Sequence, residues 1–168
     1  SALVEFLKKI PEICIIYSSS KNVHVFSHLP NLQIHCLSGS EGKRLEKSLN
    51  FEVFKNRIFV VPPKNISANN YVAEQYLENT FILEEINFIN TFKNSATAMA
   101  AQIAVQLMAK ELFLTGYDGY GKAVTKDQLE LFEENQFIFN HLKDDQLALA
   151  ALTPTFYEVS SKSIFSLT

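Results

Sequence analysis

The chain has 168 residues, 47% of them hydrophobic and 20% charged, with a formal net charge of −3. That is the length of one globular domain with a real core, and the acidic balance excludes a binder of phosphate backbones, which needs a basic face. No apolar run approaches the roughly 18 residues that span a bilayer and no signal peptide opens the sequence, so it reads as cytoplasmic, with neither nucleic acid nor membrane as partner.

The Ser1-Ala2 start lacks an initiator Met and reads as a scar on a domain excised from a longer protein. Residues 3–9 read as a helix tail that Pro11 stops. Residues 13–17 (ICIIY) form a first strand, continuous and β-branched, as in a strand buried on both faces. Ser18, Ser19 and Ser20 follow, and a helix is expected over 22–29. A serine cluster at a strand-to-helix turn offers hydroxyls and backbone N–H groups to an anion; it also serves as a plain helix cap. His24 and His28 are spaced i, i+4 and would share a face of that helix. No third ligand sits nearby, so a surface or packing role is expected rather than a metal.

Residues 32–37 make a second strand, which empties into Ser38-Gly39-Ser40-Glu41-Gly42-Lys43-Arg44. Strand, glycine loop and a helix carrying two cations suggest a phosphate site at Gly39, Glu41, Gly42 and Lys43. The spacing is not that of a P-loop, however, and a generic tight turn fits as well. Residues 57–61 (RIFVV) form a third strand closed by Pro62-Pro63, which have no N–H to donate to a ladder. Residues 64–70 read as loop, 70–78 as helical, and 80–83 as a short strand.

Asn94 and Ser95 are good caps for a helix that is apolar almost all round, interrupted only by Thr97, Gln102, Gln106 and Lys110. Residues 111–115 follow as a short buried strand, central in a parallel sheet, and lead into Gly116-Tyr117-Asp118-Gly119-Tyr120-Gly121. Asp118 on this loop suits the acceptance of sugar hydroxyls, the holding of a metal or general-base work, or else an Asx turn capping its own loop. Gly116, Gly119 and Gly121 would permit positive φ and a close approach to a ligand. Tyr117 and Tyr120 would stack on a base or sugar, or cover the core.

A turn is expected at 122–124. Thr125 then begins a helix with Gln128 at capping-box spacing, Leu129, Phe132, Phe139 and Leu142 on its core side, and Glu130, Glu133 and Glu134 on a solvated face. Asp144 and Asp145 punctuate it. Residues 147–152 read as a final buried strand ending at Thr153-Pro154-Thr155, with Phe156, Tyr157, Ile164 and Phe165 left to pack. Cys14 and Cys36 fall in expected buried strands and read as reduced core thiols.

Alternating strands and helices with continuous apolar strands give a single α/β domain over 1–168: a three-layer α/β/α, Rossmann-like, doubly wound fold on a mostly parallel sheet. In such folds ligands bind beyond the carboxyl ends of strands. The candidate ligand residues are therefore Ser18, Ser19, Ser20, Gly39, Glu41, Gly42, Lys43, Asn94, Ser95, Gly116, Tyr117, Asp118, Tyr120, Thr153 and Thr155, with Asp118 the leading catalytic candidate. No G-x-G-x-x-G follows the first strand and no G-x-S-x-G occurs, so neither a standard dinucleotide site nor a serine triad is expected.

The stretch from Asn94 to Gly121 (NSATAMAAQIAVQLMAKELFLTGYDGYG) resembles the core motif of bacterial sialyltransferases of glycosyltransferase family 42. In these a small-residue helix leads into a strand ending in a G-x-D loop. A closer similarity is to the C-terminal domain attached to 4-hydroxy-2-oxovalerate aldolase-like proteins of surface-polysaccharide genes. It is carried in order by SGSEGKRL (38–45), VPP (61–63), GYDGY (116–120), LTPTFY (152–157) and SIFSL (163–167), and covers roughly residues 12–168. This resemblance implies a C-terminal accessory domain that binds a nucleotide or sugar phosphate beside an N-terminal aldolase barrel. The divalent metal belongs to that barrel, and no cofactor is expected in the domain itself. The sialyltransferase kinship implies nucleotide contacts at Asn94, Ser95, Gly116 and Asp118. It leaves open a glycosyltransferase using a nucleotide-activated sugar, although Ser18-Ser19-Ser20 replaces that family's glycine-serine loop and His141 does not match its catalytic histidine. A scaffold for homo-oligomerisation is the third alternative.

Overall fold

The computed structural model describes residues 1–48, 57–66, 70–121, 125–144 and 147–167. The parallel α/β class expected from the continuous apolar strands is the class observed, and every described strand pairing is parallel. The strands lie in two sheets, of four and three strands, rather than in one. The chain forms two compact units, one of residues 1–87 with 93–100 and the other of residues 88–92 with 101–168.

The first unit begins with α1 (Ala2–Lys9), capped by Ser1, whose hydroxyl accepts the Val4 N–H. Its sheet runs in the order β1 (Ile15–Tyr17), β2 (Gln33–Cys36), β3 (Arg57–Val61) and β4 (Thr80–Ile82). The helix α2 (Glu41–Ser48) follows β2 and buries Leu45. Parallel register aligns Tyr17 with His35 and His35 with Phe59. Their rings stack at 4.4 and 5.5 Å, and Tyr76 continues the ladder on Phe59 at 4.4 Å. Same-face cross-strand pairs of this kind hold a sheet in register, since a slip of one residue would turn every ring to the opposite face.

The helix expected over 22–29 is only a 3-10 turn at Val23–Val25. Its carbonyls are claimed by the sheet: Gln33 Nε2 donates to Phe26 O (3.1 Å) and Leu29 O (3.2 Å), and Arg57 Nη2 to Ser27 O (2.9 Å). Those are carbonyls that a helix over 22–29 would leave without an internal partner, so the bonds fasten the segment to the sheet, while its N–H groups close i+3 turns, Phe26 to Val23 (3.2 Å) and Leu29 to Phe26 (3.0 Å). His24 and His28 therefore share no helical face, and both are exposed. The stretch read as helical over 70–78 holds a 3-10 helix at Glu74–Asn79.

The helix α3 (Ala96–Gln106) starts in the first unit and ends in the second. Ala98, Met99, Ala101, Gln102, Ile103 and Ala104 are all buried, as its nearly unbroken apolar composition implies. It closes in a Schellman turn. Ala109 N donates to Ala104 O (3.0 Å) and Met108 N to Val105 O (2.9 Å), with Met108 at φ 52°. Glycine is the usual residue there, and Met108 is 85% exposed, so its side chain adds no packing. Met108→Gly is expected to raise stability by about 0.5–1 kcal/mol, relief of the left-handed strain outweighing the entropy of an added glycine. Thermal unfolding checks it, and a lower melting temperature would refute it.

In the second unit β5 (Glu111–Leu114), β6 (Ala148–Ala151) and β7 (Ser160–Ser161) form the sheet in that order. The strand expected to be central, β5, lies at an edge of this sheet, with Glu111 exposed and Leu112 and Phe113 half-buried. The strand expected to be last is followed by β7, a two-residue polar strand with no apolar signal. The helix α4 (Lys126–Asp144) opens with the expected capping box: Thr125 N donates to Gln128 Oε1 (2.9 Å) and Gln128 N to Thr125 Oγ1 (3.3 Å). It buries Asn135, Ile138, Phe139 and Leu142. Leu129, expected on that side, is exposed, because six residues before Asn135 it stands about 120° around the helix. The turn at 122–124, Asp145 and residues 67–69 of the loop after β3 lie outside the described residues.

Candidate functional site

Because β1 to β4 are parallel, the segments that follow β1, β2 and β3 leave the same edge of the first sheet. This brings Ser18, Ser19 and Ser20 to the same edge as Gly39, Glu41, Gly42 and Lys43. Asn94 and Ser95 join them, since Ser38 Oγ donates to Asn94 O (2.8 Å). Ser95 caps α3, its hydroxyl accepting the Thr97 and Ala98 N–H groups at 3.2 and 3.4 Å. Asn94 takes part through its carbonyl.

The anion that engages the serine turn is internal. Glu41 is 8% exposed, and its Oε2 accepts the Ser20 N–H at 2.6 Å while Oε1 pairs with Arg44. Ser20 Oγ in turn donates to the Glu41 carbonyl (3.2 Å). A charge-assisted bond of this kind is strong, and it takes up the N–H group that a phosphate would need. Lys43 lies over the Tyr71 ring at 5.8 Å, and the Tyr71 hydroxyl donates to Glu46 (2.7 Å). Gly39 has φ 57° and donates its N–H to Asn70 Oδ1 (3.3 Å).

Within these strands lies a buried polar group that the sequence reading passed over. His35 is fully buried, and Arg57 is 3% exposed with Nη1 2.8 Å from His35 Nε2. Burial, and secondarily the Arg57 charge, lower the His35 pKa to about 3, so the ring is neutral at pH 7. Nε2 must then be the acceptor, and the protonated Nδ1 is a buried donor with no partner among the described residues. Polar residues within a β-branched strand (QIHC, RIFVV) were the available signal.

In the second unit the other candidates converge. The loops after β5 and β6 leave adjacent parallel strands, and side chains of the second loop fasten the first. Thr153 Oγ1 accepts the Gly116 N–H (3.1 Å), Thr155 Oγ1 donates to Tyr117 O (2.5 Å), and Phe156 N donates to Asp118 O (2.9 Å). Gly116 and Gly119 take positive φ (72° and 74°) as expected; Gly121 does not. A Cβ on Gly121 would lie 2.8 Å from the Phe156 ring, so this glycine is small because an aromatic covers it. Tyr117 packs edge-on against Phe139 (5.2 Å) and Tyr157 (6.4 Å), which points it inward rather than toward a ligand. Asp118 is exposed, and its carboxylate takes no hydrogen bond within the described residues. Tyr157 is buried, accepts from Asn135 Nδ2 (3.1 Å) and stacks on Phe132 (4.6 Å), whereas Phe156 and Phe165, expected to pack, are 65% and 77% exposed.

Comparison with family models, curated proteins and solved structures finds no match.

Among the described residues no group of three His, Cys, Asp or Glu side chains could hold a metal ion, and no helix is long and apolar enough to cross a membrane. Cys14 and Cys36 are free, and burial pushes the Cys14 thiol up to about 11 and the Cys36 thiol higher still. Both are therefore protonated at neutral pH and unsuited to nucleophilic work. His141 lies half-buried on α4, where its Nδ1 donates to Phe137 O (2.9 Å) and its ring packs on Phe137 (4.1 Å).

Proposed function

We propose that this chain is a small-molecule-binding module whose ligand is a nucleotide or sugar phosphate, held at the loops after β5 and β6. The observation that carries this reading is the fastened Gly116–Asp118 loop. It lies at the carboxyl ends of parallel strands, is held by Thr153 and Thr155, and presents an exposed carboxylate that takes no hydrogen bond among the described residues. Such a carboxylate accepts hydrogen bonds from a diol, and parallel strand ends are where α/β folds take ligands. Asp118 would repel a phosphate, so its part is to receive the hydroxyl-bearing portion of the ligand. The resemblance described above supports an accessory role beside an aldolase barrel, in surface-polysaccharide metabolism.

A thermal-shift screen against nucleotides, their sugar conjugates and sugar phosphates tests this. A ligand at a hundred times its dissociation constant adds about 2.7 kcal/mol, a rise of roughly 5–10 °C. Asp118→Asn is expected to abolish the shift, and a flat response across the panel would refute the reading. Retained affinity with loss of sugar transfer in Asp118→Asn would instead favour the glycosyltransferase reading.

A further inference from the structure

We propose that Phe156 is the stacking platform of the Asp118 site, so that its ligand is a nucleoside or nucleotide rather than a simple sugar phosphate. This rests on the reading that Asp118 receives a hydroxyl-bearing ligand. A single exposed aromatic needs no special explanation; what distinguishes this one is how it is held and what stands beside it. The backbone N–H of Phe156 donates to the carbonyl of Asp118 at 2.9 Å, which ties its backbone to the residue whose carboxylate takes no hydrogen bond among the described residues. The ring lies against glycine backbone, with ideal Cβ positions on Gly121 falling 2.8–3.3 Å from its Cζ, Cε2 and Cε1 atoms. No side chain at 121 intervenes.

Phe156 is nevertheless 65% exposed, so the ring is supported on the glycine side and open to solvent. A ring positioned in this way loses little freedom when a flat partner lies on it. Tyr117 of the same loop serves less well, being engaged edge-on with Phe139 and Tyr157. An aromatic on a residue bonded through its backbone to the one that carries a diol acceptor matches a base joined to a ribose. Stacking of this kind tolerates any base, since every base has a π-face.

Isothermal titration of the full chain with uridine, cytidine, adenosine and guanosine, and separately with ribose 5-phosphate, tests the proposal. The wild type is expected to bind at least one nucleoside more tightly than ribose 5-phosphate. Phe156→Ala should weaken that binding roughly 5- to 150-fold, the range for loss of one stacked base. Phe156→Tyr should retain it. If Phe156→Ala fails to fold, Phe156→Leu decides, since it keeps apolar cover over the glycines but has no π-face. Unchanged nucleoside affinity in Phe156→Ala or Phe156→Leu, with loss in Asp118→Asn, would overturn the stacking role and leave the binding reading standing. Binding of ribose 5-phosphate as tight as that of any nucleoside would do the same. No binding of any probe by the wild type would overturn both.

Discussion

Gly42→Ala is expected to destabilise the first unit by about 3 kcal/mol, lowering the melting temperature by roughly 6–12 °C. Gly42 stands in the first turn of α2, where alanine would ordinarily gain up to about 1 kcal/mol in helix propensity. Here the gain is overwhelmed. A Cβ on Gly42 would overlap the carbonyl oxygen of Tyr71 and lie 3.0 Å from its carbonyl carbon. Backbone cannot rotate aside as a side chain can, and the Tyr71 segment is held by its hydroxyl bond to Glu46 and by Lys43 over its ring. Either α2 or the Tyr71 segment must move, and moving α2 displaces Glu41 from Ser20. Thermal and urea unfolding measure the effect, with Lys47→Ala, exposed on the same helix, as the control for simple substitution in α2. A Gly42→Ala protein as stable as wild type would show that the approach of Tyr71 is not rigid.

Acidification should destabilise the protein through His35. The folded pKa of about 3 lies below the ordinary value of roughly 6.5 for an unfolded histidine. Between these values the unfolded chain binds a proton that the folded chain refuses. The contribution of this group is thus complete above pH 6.5 and falls away as the pH drops toward 3. At pH 4 the loss is about 3 kcal/mol, of the order of 6–12 °C in melting temperature. The physical cause is burial, reinforced by the Arg57 guanidinium 2.8 Å from Nε2. His35→Phe separates this effect from other acid-sensitive groups. It preserves a ring between Tyr17 and Phe59 but cannot titrate, so its melting temperature should start lower, with Arg57 deprived of an acceptor, and fall less between pH 6.5 and 4. An acid limb identical to that of the wild type would exclude His35 as its source.

Much of the architecture was legible because local rules and burial agreed. Residues 57–61 read as a strand and form β3 with those limits, since RIFVV is β-branched and Pro62-Pro63 ends the ladder. The Thr125–Gln128 capping box and the Ser95 cap appear as hydrogen bonds, because capping is a matter of a few neighbouring residues. Loops at the carboxyl ends of parallel strands also follow from the alternating pattern, whereas the fastening of the Gly116–Asp118 loop by Thr153 and Thr155 came only with the pairing of β5 and β6.

Where distant residues compete for the same atoms, local pattern fails. The segment at 22–29 has helical spacing, but its N–H groups close i+3 turns, and Gln33 and Arg57 of the sheet fasten its last carbonyls. The serine turn after β1 suits an outside anion, yet Glu41, 21 positions on from Ser20, already accepts its N–H. Gly121 reads as a position for positive φ and close approach to a ligand and is instead a seat for Phe156, which composition alone would have placed in the core. Helix caps, strand periods and turn residues are properties of short segments, so the order of residues is enough to dictate them. Who satisfies a buried donor, which carboxylate stays open to solvent and which aromatic is left exposed depend on chain segments meeting in space, and those were settled only when the two sheets formed.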